Sequence, residues 1–279
     1  MAKVLIVGCG DLGGEVARLL KVSGVEVIGV RASDKQLPAD IQTIQADVTQ
    51  VKSLGALENL NPDILIYCVA AHAQTDENYQ AIYVQGLKNV LATQANNHAL
   101  RHVFFVSSTR VYGQISDSIL DEDTPTVPSD FGGVRLLEAE NVLKQLPCKA
   151  TSMRLSGIYG FGRLYLVNMA KDPSRWPQEN NWSNRIHRDD AARFIAFMCE
   201  KVIKKQSVDD CYIVTDDMPT LQYEVLIWLA NQQGIETTHI NTPSACGGKR
   251  LSNQRLRDTG FQLQYPNYQA GYARVLEAQ

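Results

Sequence analysis

The chain begins with an apolar run, Val4 to Val7, that stops at Gly8-Cys9-Gly10-Asp11-Leu12-Gly13, and Val16, Leu19 and Leu20 then follow at helical spacing up to Gly24. A strand-to-helix turn with glycine at its first, third and sixth places is the most constraining feature of the sequence. Gly8 permits a tight turn, Gly10 lets a pyrophosphate approach the backbone, and Gly13 lets helix and strand pack closely. The first N–H groups of the helix, with Asp11 and Leu12 in its opening turn, then face the phosphates. An ordinary glycine turn is the competing reading, but the placement between strand and helix at the start of a βαβ unit points to a dinucleotide.

The alternation continues. Val25 to Val30, Ile41 to Ile44 and Ile64 to Ala71 read as further buried strands, the last introduced by the turn pair Asn61-Pro62. A helix from Glu77 to Asn97 precedes a strand at Val103 to Val106, and a helix from Phe131 to Leu146 precedes one at Ala150 to Leu155. Strands alternating with helices predict an α/β fold, a Rossmann-type doubly wound parallel sheet covered on both faces, with a smaller C-terminal substrate-binding portion. From Phe161 to Ile186 the composition is that of a loop, with Pro173, Pro177, Trp176, Trp182 and clustered Asn. A helix from Asp189, a strand near Tyr212 to Val214, a helix from Leu221 to Gln232 and a loose end past Pro243 complete the chain. The predicted division is a cofactor domain over 1–162, which also receives the helix at 189–205, and a dependent remainder over 163–279.

Composition narrows the function. There are 27 Lys and Arg against 30 Asp and Glu, a formal net charge of −3, and no basic tract, so nothing marks a nucleic-acid partner. The longest apolar runs span about eight residues where a transmembrane helix needs roughly 20. The N-terminus lacks a secretory apolar region, and the expectation is a cytoplasmic protein with a small-molecule substrate and no membrane partner. Six cysteines without a C-x-x-C pair read as free thiols rather than disulfides or a zinc site, and no histidine pair has metal-ligand spacing.

Where an acidic residue commonly accepts the ribose hydroxyls of NAD, this chain has Arg31, with Ser33 behind it. A guanidinium matches phosphate bidentately, so the pair suits the 2′-phosphate of NADP; Asp34 keeps NAD open, and a solvated surface arginine is the plain alternative.

Together these motifs resemble the extended or atypical short-chain dehydrogenase/reductases, the NAD-dependent epimerase/dehydratase group. Ala46-Asp47-Val48 resembles the element that meets adenine, Val69-Ala70-Ala71 the fourth strand beside the ribose, and Gly86-x-x-Asn89 the next helix. Ser107-Ser108-Thr109-Arg110-Val111-Tyr112-Gly113 is similar to the fifth-strand active-site motif, and Arg154 to Gly160, with Ser156 and Ile158, to the segment near nicotinamide. Ile186 to Asp190 and Lys249 to Asn253 are also similar. The resemblance implies an NAD(P) cofactor held by these residues, a redox or epimerase-type reaction at a hydroxyl or carbonyl, and pairing of two copies through the long helices.

One departure stands out. The family's proton transfer uses a Tyr with a Lys at the fourth position after it, the cation lowering the phenol pKa. This chain has Phe131-Gly132-Gly133-Val134-Arg135 there, and none of its 11 tyrosines has lysine at that spacing. By the resemblance Ser108 polarises the substrate oxygen, and Arg135 either ion-pairs or meets the cofactor ribose. Tyr112, Tyr159 and His187 are the candidates for the missing acid/base, each weighed against a plain packing role, with Asp189 or Asp190 read as an N-cap. Trp176 and Trp182 can face substrate or plug the core; Arg163, Arg185 and Arg188 can meet substrate phosphates or lie on the surface. Two readings follow: an NADP-binding enzyme with a non-standard active site, or a silent NADP-binding sensor or partner-binding protein.

Overall fold

A computed structural model of the protein describes residues 2–116 and 118–278. In chain order the first half comprises β1 (Lys3–Val7), α1 (Asp11–Val22), β2 (Glu26–Arg31), β3 (Gln42–Gln45), β4 (Ile64–Tyr67), α2 (Asp76–Tyr79), α3 (Gly86–Ala92), β5 (His102–Ser108), β6 (Ile119–Leu120) and α4 (Phe131–Leu143). Next come β7 (Lys149–Leu155), β8 (Gly157–Tyr159), α5 (Tyr165–Ala170), β9 (Asn180–Ser183), β10 (Arg185–His187), α6 (Arg188–Ile203) and β11 (Cys211–Val214). The chain ends with β12 (Thr220–Leu221), α7 (Gln222–Gln232), β13 (Ala245–Gly248), β14 (Arg250–Leu251), α8 (Gln254–Asp258) and α9 (Tyr268–Glu277).

The apolar runs assemble as expected into a seven-stranded sheet of order β11-β7-β5-β4-β1-β2-β3, with β1 parallel to both β2 and β4. Val4 to Ile6 and Ile64 to Tyr67 are inaccessible to solvent, as strands covered on both faces must be. Helix α1 turns Val16, Ala17 and Leu20 inward, and each such aliphatic side chain contributes about 1.5–3 kcal/mol on burial. Winding reverses between β1 and β4, and in an open α/β sheet the ligand crevice lies beyond the strand C-termini at that point.

Two compact units make up the chain. The first comprises Met1–Gly113, Pro125–Arg154 and Ala192–Tyr212; the second, Gln114–Thr124, Leu155–Ala191 and Ile213–Gln279. The second unit has its own aromatic core, with Tyr159, Trp176, Tyr223, Tyr268 and Tyr272 around Leu226 and Leu229.

Several expectations are corrected. The fourth strand stops at Tyr67 rather than Ala71, because the Ala71 N–H leaves the ladder for the Tyr83 hydroxyl. The helix expected over Glu77 to Asn97 is broken by a π-helical turn, Gln80–Gln85, and ends at Ala92. The stretch read as loop holds α5, β9 and β10, and the loose end holds α9, capped by Asn267, whose side chain accepts from the Ala270 N–H. No helix among the described residues is long and apolar enough to cross a membrane.

Candidate functional site

The glycine turn is built by backbone contacts. Gly8 sits at φ +98°, its N–H and that of Cys9 both donate to the Val30 carbonyl at 2.9 Å, and the Gly10 N–H donates to the Gly8 carbonyl at 2.8 Å. A Cβ on Gly8 would collide with the Cys68 carbonyl, and one on Gly13 with the Gly8 carbonyl, whereas Gly10 faces open space. Gly10 is the N-cap of α1 and offers no capping side chain, so the first-turn N–H groups, Leu12 and Gly13 among them, have no helical acceptor. Exposed Asp11 complements the dipole at that helix end. Cys9 is buried, its thiol pushed up to about 12 by desolvation, and it serves packing rather than chemistry. An open approach over Gly10, a helix N-terminus without a side-chain cap and a backbone pinned from below fit a pyrophosphate.

At the end of β2 the Arg31 Nε donates to the Ser33 hydroxyl at 3.0 Å, and among the described residues no carboxylate pairs with Arg31. Asp47 is half-buried and accepts from the Thr49 N–H and hydroxyl at 2.9 and 2.8 Å. Val48 is buried, and its carbonyl accepts from the Asn89 amide at 2.9 Å, which ties the two flanking motifs together. Beyond β4, Val69 and Ala71 are half-buried and Ala70 is exposed. The segment is in contact with the glycine turn, since it is the Cys68–Val69 backbone that blocks a side chain on Gly8.

The residues expected to carry chemistry fare differently. Ser108 ends β5 half-buried; its Oγ accepts from the Arg110 N–H at 3.2 Å, and its own proton has no acceptor among the described residues. Ser107 is corrected: its hydroxyl points into the core and donates to Glu140 at 2.6 Å. Tyr112 is corrected too, being fully buried with its hydroxyl accepting from Arg154, which in turn is paired with Glu140 at 2.7 Å. Arg135 is held bidentately by Asp76, at 2.7 and 2.8 Å, and by Glu138 at 2.9 Å, so it ion-pairs and links α4 to α2.

Ser156 and Ile158 belong to the second unit, where the Ser156 hydroxyl is buried and donates to Thr215 at 2.9 Å. In that unit Tyr159 is buried, its phenol pKa raised by desolvation, and its hydroxyl points at the Asn267 carbonyl 3.4 Å away. His187 is fully buried against Tyr265, with ring centroids 4.0 Å apart, and burial lowers its pKa. Neither can reach a solvent-borne substrate. Asp189 and Asp190 are not N-caps, because α6 starts at Arg188; Asp190 instead accepts the backbone N–H groups of Gln264 and Tyr265 at 2.9 and 2.7 Å. Trp176 is core, packed on Tyr223, and Arg185 is buried over the Tyr268 ring rather than turned to a phosphate.

Sequence reading passed over Arg110. Its guanidinium lies over the rings of Tyr79 and Phe131, at 5.2 and 5.1 Å, and donates to both Asp130 oxygens at 2.9 Å and to the Tyr79 hydroxyl at 2.9 Å. Asp130 also caps α4 by accepting the Gly133 N–H. A Cβ on Gly132 would meet the Arg110 guanidinium, whereas one on Gly133 would meet the Arg110 backbone carbonyl and Pro128, so it is Gly132 that leaves room for that cation. The available signal was Tyr79 and Tyr83 at i, i+4 on one helix face, a phenol pair beside the fifth-strand motif.

The comparisons agree with this architecture. The family model described as NAD dependent epimerase/dehydratase family matches residues 4–211. A structure from Methylobacillus flagellatus, described as that of a candidate NAD-dependent epimerase/dehydratase, is 47% identical over 99% of this chain and 98% of its own, with a TM-score of 0.90. A conserved protein of unknown function from Silicibacter pomeroyi is 24% identical, covers 100% and 99% of the two chains, and has a TM-score of 0.73. The UDP-glucose 4-epimerase of Thermus thermophilus, solved with NAD, shares the fold at 18% identity, 96% coverage of each chain and a TM-score of 0.76. Comparison with curated proteins gave no match. With three quarters of its length under the family model and a near-complete counterpart at 47% identity, the chain belongs to the NAD-dependent epimerase/dehydratase family.

Proposed function

We propose that the chain is an NAD(P)-dependent oxidoreductase or epimerase acting at a hydroxyl or carbonyl carbon of a polar, sugar-nucleotide-like substrate. NADP is the preferred cofactor, and the active site works without the Tyr-x-x-x-Lys pair. The observation that carries this reading is the uncapped start of α1 behind Gly8 and Gly10, a ready site for a pyrophosphate. Arg31 with Ser33 supports a 2′-phosphate, since a guanidinium with no carboxylate partner among the described residues leaves its charge for an anion. When bound, a nicotinamide cofactor supplies reversible hydride transfer. The backbone of residues 8–13 would hold its phosphates, Arg31 and Ser33 its ribose phosphate, and Ser108 would donate a hydrogen bond to the substrate oxygen. The sugar-nucleotide class is drawn from the family and from the fold shared with a UDP-glucose 4-epimerase.

A second reading, a cofactor-binding sensor without turnover, is favoured by one observation: Phe131, at the place of the usual tyrosine, has no hydroxyl and is covered by the Arg110 guanidinium. Calorimetry with NADP and NAD tests both, and tight binding of neither sinks both. Hydride exchange with UDP-sugars and small ketones separates them. Turnover supports the enzyme, whereas tight binding without turnover on any of them supports the sensor.

A further inference from the structure

The helix start that should carry a proton-transfer phenol carries Phe131, and Tyr112, Tyr159 and His187 are all buried. One phenol of the first unit is uncommitted. Tyr83 is half-buried on the π-helical turn Gln80–Gln85; its oxygen accepts the Ala71 N–H at 3.3 Å, and its own proton has no acceptor among the described residues. The turn is pinned from the sheet by Tyr67, whose hydroxyl donates to the Ile82 carbonyl at 2.6 Å. A π turn holds an extra residue and re-aims the side chains on it, and such turns recur at functional sites.

The surroundings of Tyr83 are those of the candidate site. Ala71 ends the segment whose backbone abuts Gly8. Strands β4 and β5 are parallel neighbours with Tyr67 opposite Phe105; Ser108 is the last residue of β5, and Ala71 follows four residues after the end of β4. The Tyr83 ring is 5.1 Å from Tyr79, which is 5.3 Å from Phe131. Burial raises the Tyr83 pKa, the Ala71 N–H and the Arg110 charge oppose that rise, and Tyr79 and Cys68 add to it.

We infer that Tyr83 supplies the proton-transfer phenol that is missing at position 131, which deepens the function proposed above and rests on it. In the oxidising direction a secondary alcohol carbon loses its hydrogen with the bonding pair to the oxidised nicotinamide. The hydroxyl proton passes to the Tyr83 phenolate, and the C–O bond becomes C=O. The reverse returns the hydride to carbon and the Tyr83 proton to oxygen. Ser108 holds that oxygen throughout, and Tyr83 is anchored by the Ala71 N–H.

The test follows phenolate ultraviolet absorbance against pH on the full chain, saturated with the oxidised or the reduced form of whichever nucleotide binds in calorimetry. The nicotinamide carries a positive charge only when oxidised, so one phenol should titrate about 1 to 3 pH units lower in that form. Tyr83→Phe should abolish this step with unchanged nucleotide affinity, Tyr79→Phe should keep it, and Phe131→Tyr in the Tyr83→Phe background should restore a low-titrating phenol. A step that survives Tyr83→Phe, a step lost in Tyr79→Phe, or no shifted phenol although nucleotide is bound overturns the inference. Failure of both nucleotides to bind overturns the proposed function itself, and calorimetry reports that separately from the titration.

Discussion

Glu140 is the centre of the network behind the fifth-strand motif, and replacing it with Gln isolates the worth of its charge. One carboxylate oxygen accepts from Ser107 at 2.6 Å and from Arg154 Nε at 3.1 Å; the other accepts from Arg154 Nη2 at 2.7 Å. The side chains of Arg154 and Glu140 are only 10% and 5% exposed, so solvent cannot screen either charge. Glu140→Gln preserves volume and a hydrogen-bonding oxygen but leaves the guanidinium uncompensated, which costs about 3–5 kcal/mol. At about 2 °C per kcal/mol for a chain of this size, the melting temperature should fall by about 6–10 °C.

Urea unfolding followed by circular dichroism measures the loss directly, and a double-mutant cycle with Arg154→Met apportions it. Once the arginine is gone the glutamine no longer faces a stranded charge, so the double variant should be less damaged than the sum of the singles by about 2 kcal/mol. The Tyr112 hydroxyl also loses its donor in that variant, and recovery is therefore incomplete. A cost for Glu140→Gln below about 1 kcal/mol, or additivity within about 0.5 kcal/mol, would refute the claim that this pair is a buried, mutually dependent charge couple.

Further perturbations probe other parts of the chain. Gly8→Ala forces a Cβ into the Cys68 carbonyl at positive φ, so nucleotide binding should vanish in calorimetry and stability should drop by about 2 kcal/mol. Arg31→Asp should weaken NADP binding about 10- to 100-fold and shift preference toward NAD, and an unchanged ratio of affinities would remove Arg31 from the site. His102, buried beside Thr151, has its pKa lowered to about 4 by burial; the unfolded chain therefore holds the extra proton between about pH 4 and 6.5, and stability falls as pH drops through that window. His102→Gln should flatten that part of a urea-midpoint profile, and an unaltered slope would count against a neutral buried ring. Asp216 has the opposite sign: burial raises it to about 7 despite Arg185, so the native state holds the extra proton and stability falls as pH rises from about 4 to 7. Asp216→Asn should match the wild type near pH 4 and exceed it at pH 8, and equal midpoints at pH 8 would contradict the buried, protonated carboxyl.

What was readable in advance follows from which interactions are local. The sheet was legible because strands buried on both faces are written as unbroken apolar runs, and the glycine turn because its steric demands fall on three nearby positions. The roles of Tyr112, Arg135 and Asp190 were not, since each is decided by a partner far along the chain: Arg154, Asp76, and the Gln264–Tyr265 backbone. Helix α9 lies in the stretch past Pro243 read as a loose end, although Asn267, just before it, is a capping residue. The π turn was invisible because a hydroxyl from the sheet, Tyr67, holds it.

These long-range ties change the meaning of Phe131. In the family pattern one helix carries both the phenol and the cation that makes it acidic. In this chain α4 carries neither in usable form, because position 131 has no hydroxyl and Arg135 is neutralised by Asp76 and Glu138. A second cation, Arg110, which is itself paired with Asp130, follows β5, and the helical segment after β4 brings the Tyr79 hydroxyl to it, with Tyr83 packed on Tyr79. Gly132 leaves room for that cation, so Phe131 is packed into the Arg110 cluster rather than standing at an isolated position. A tyrosine reinstated at 131 would therefore meet Arg110 across its ring and not Arg135, and the pH at which it ionises should respond to Arg110→Gln and be indifferent to Arg135→Gln.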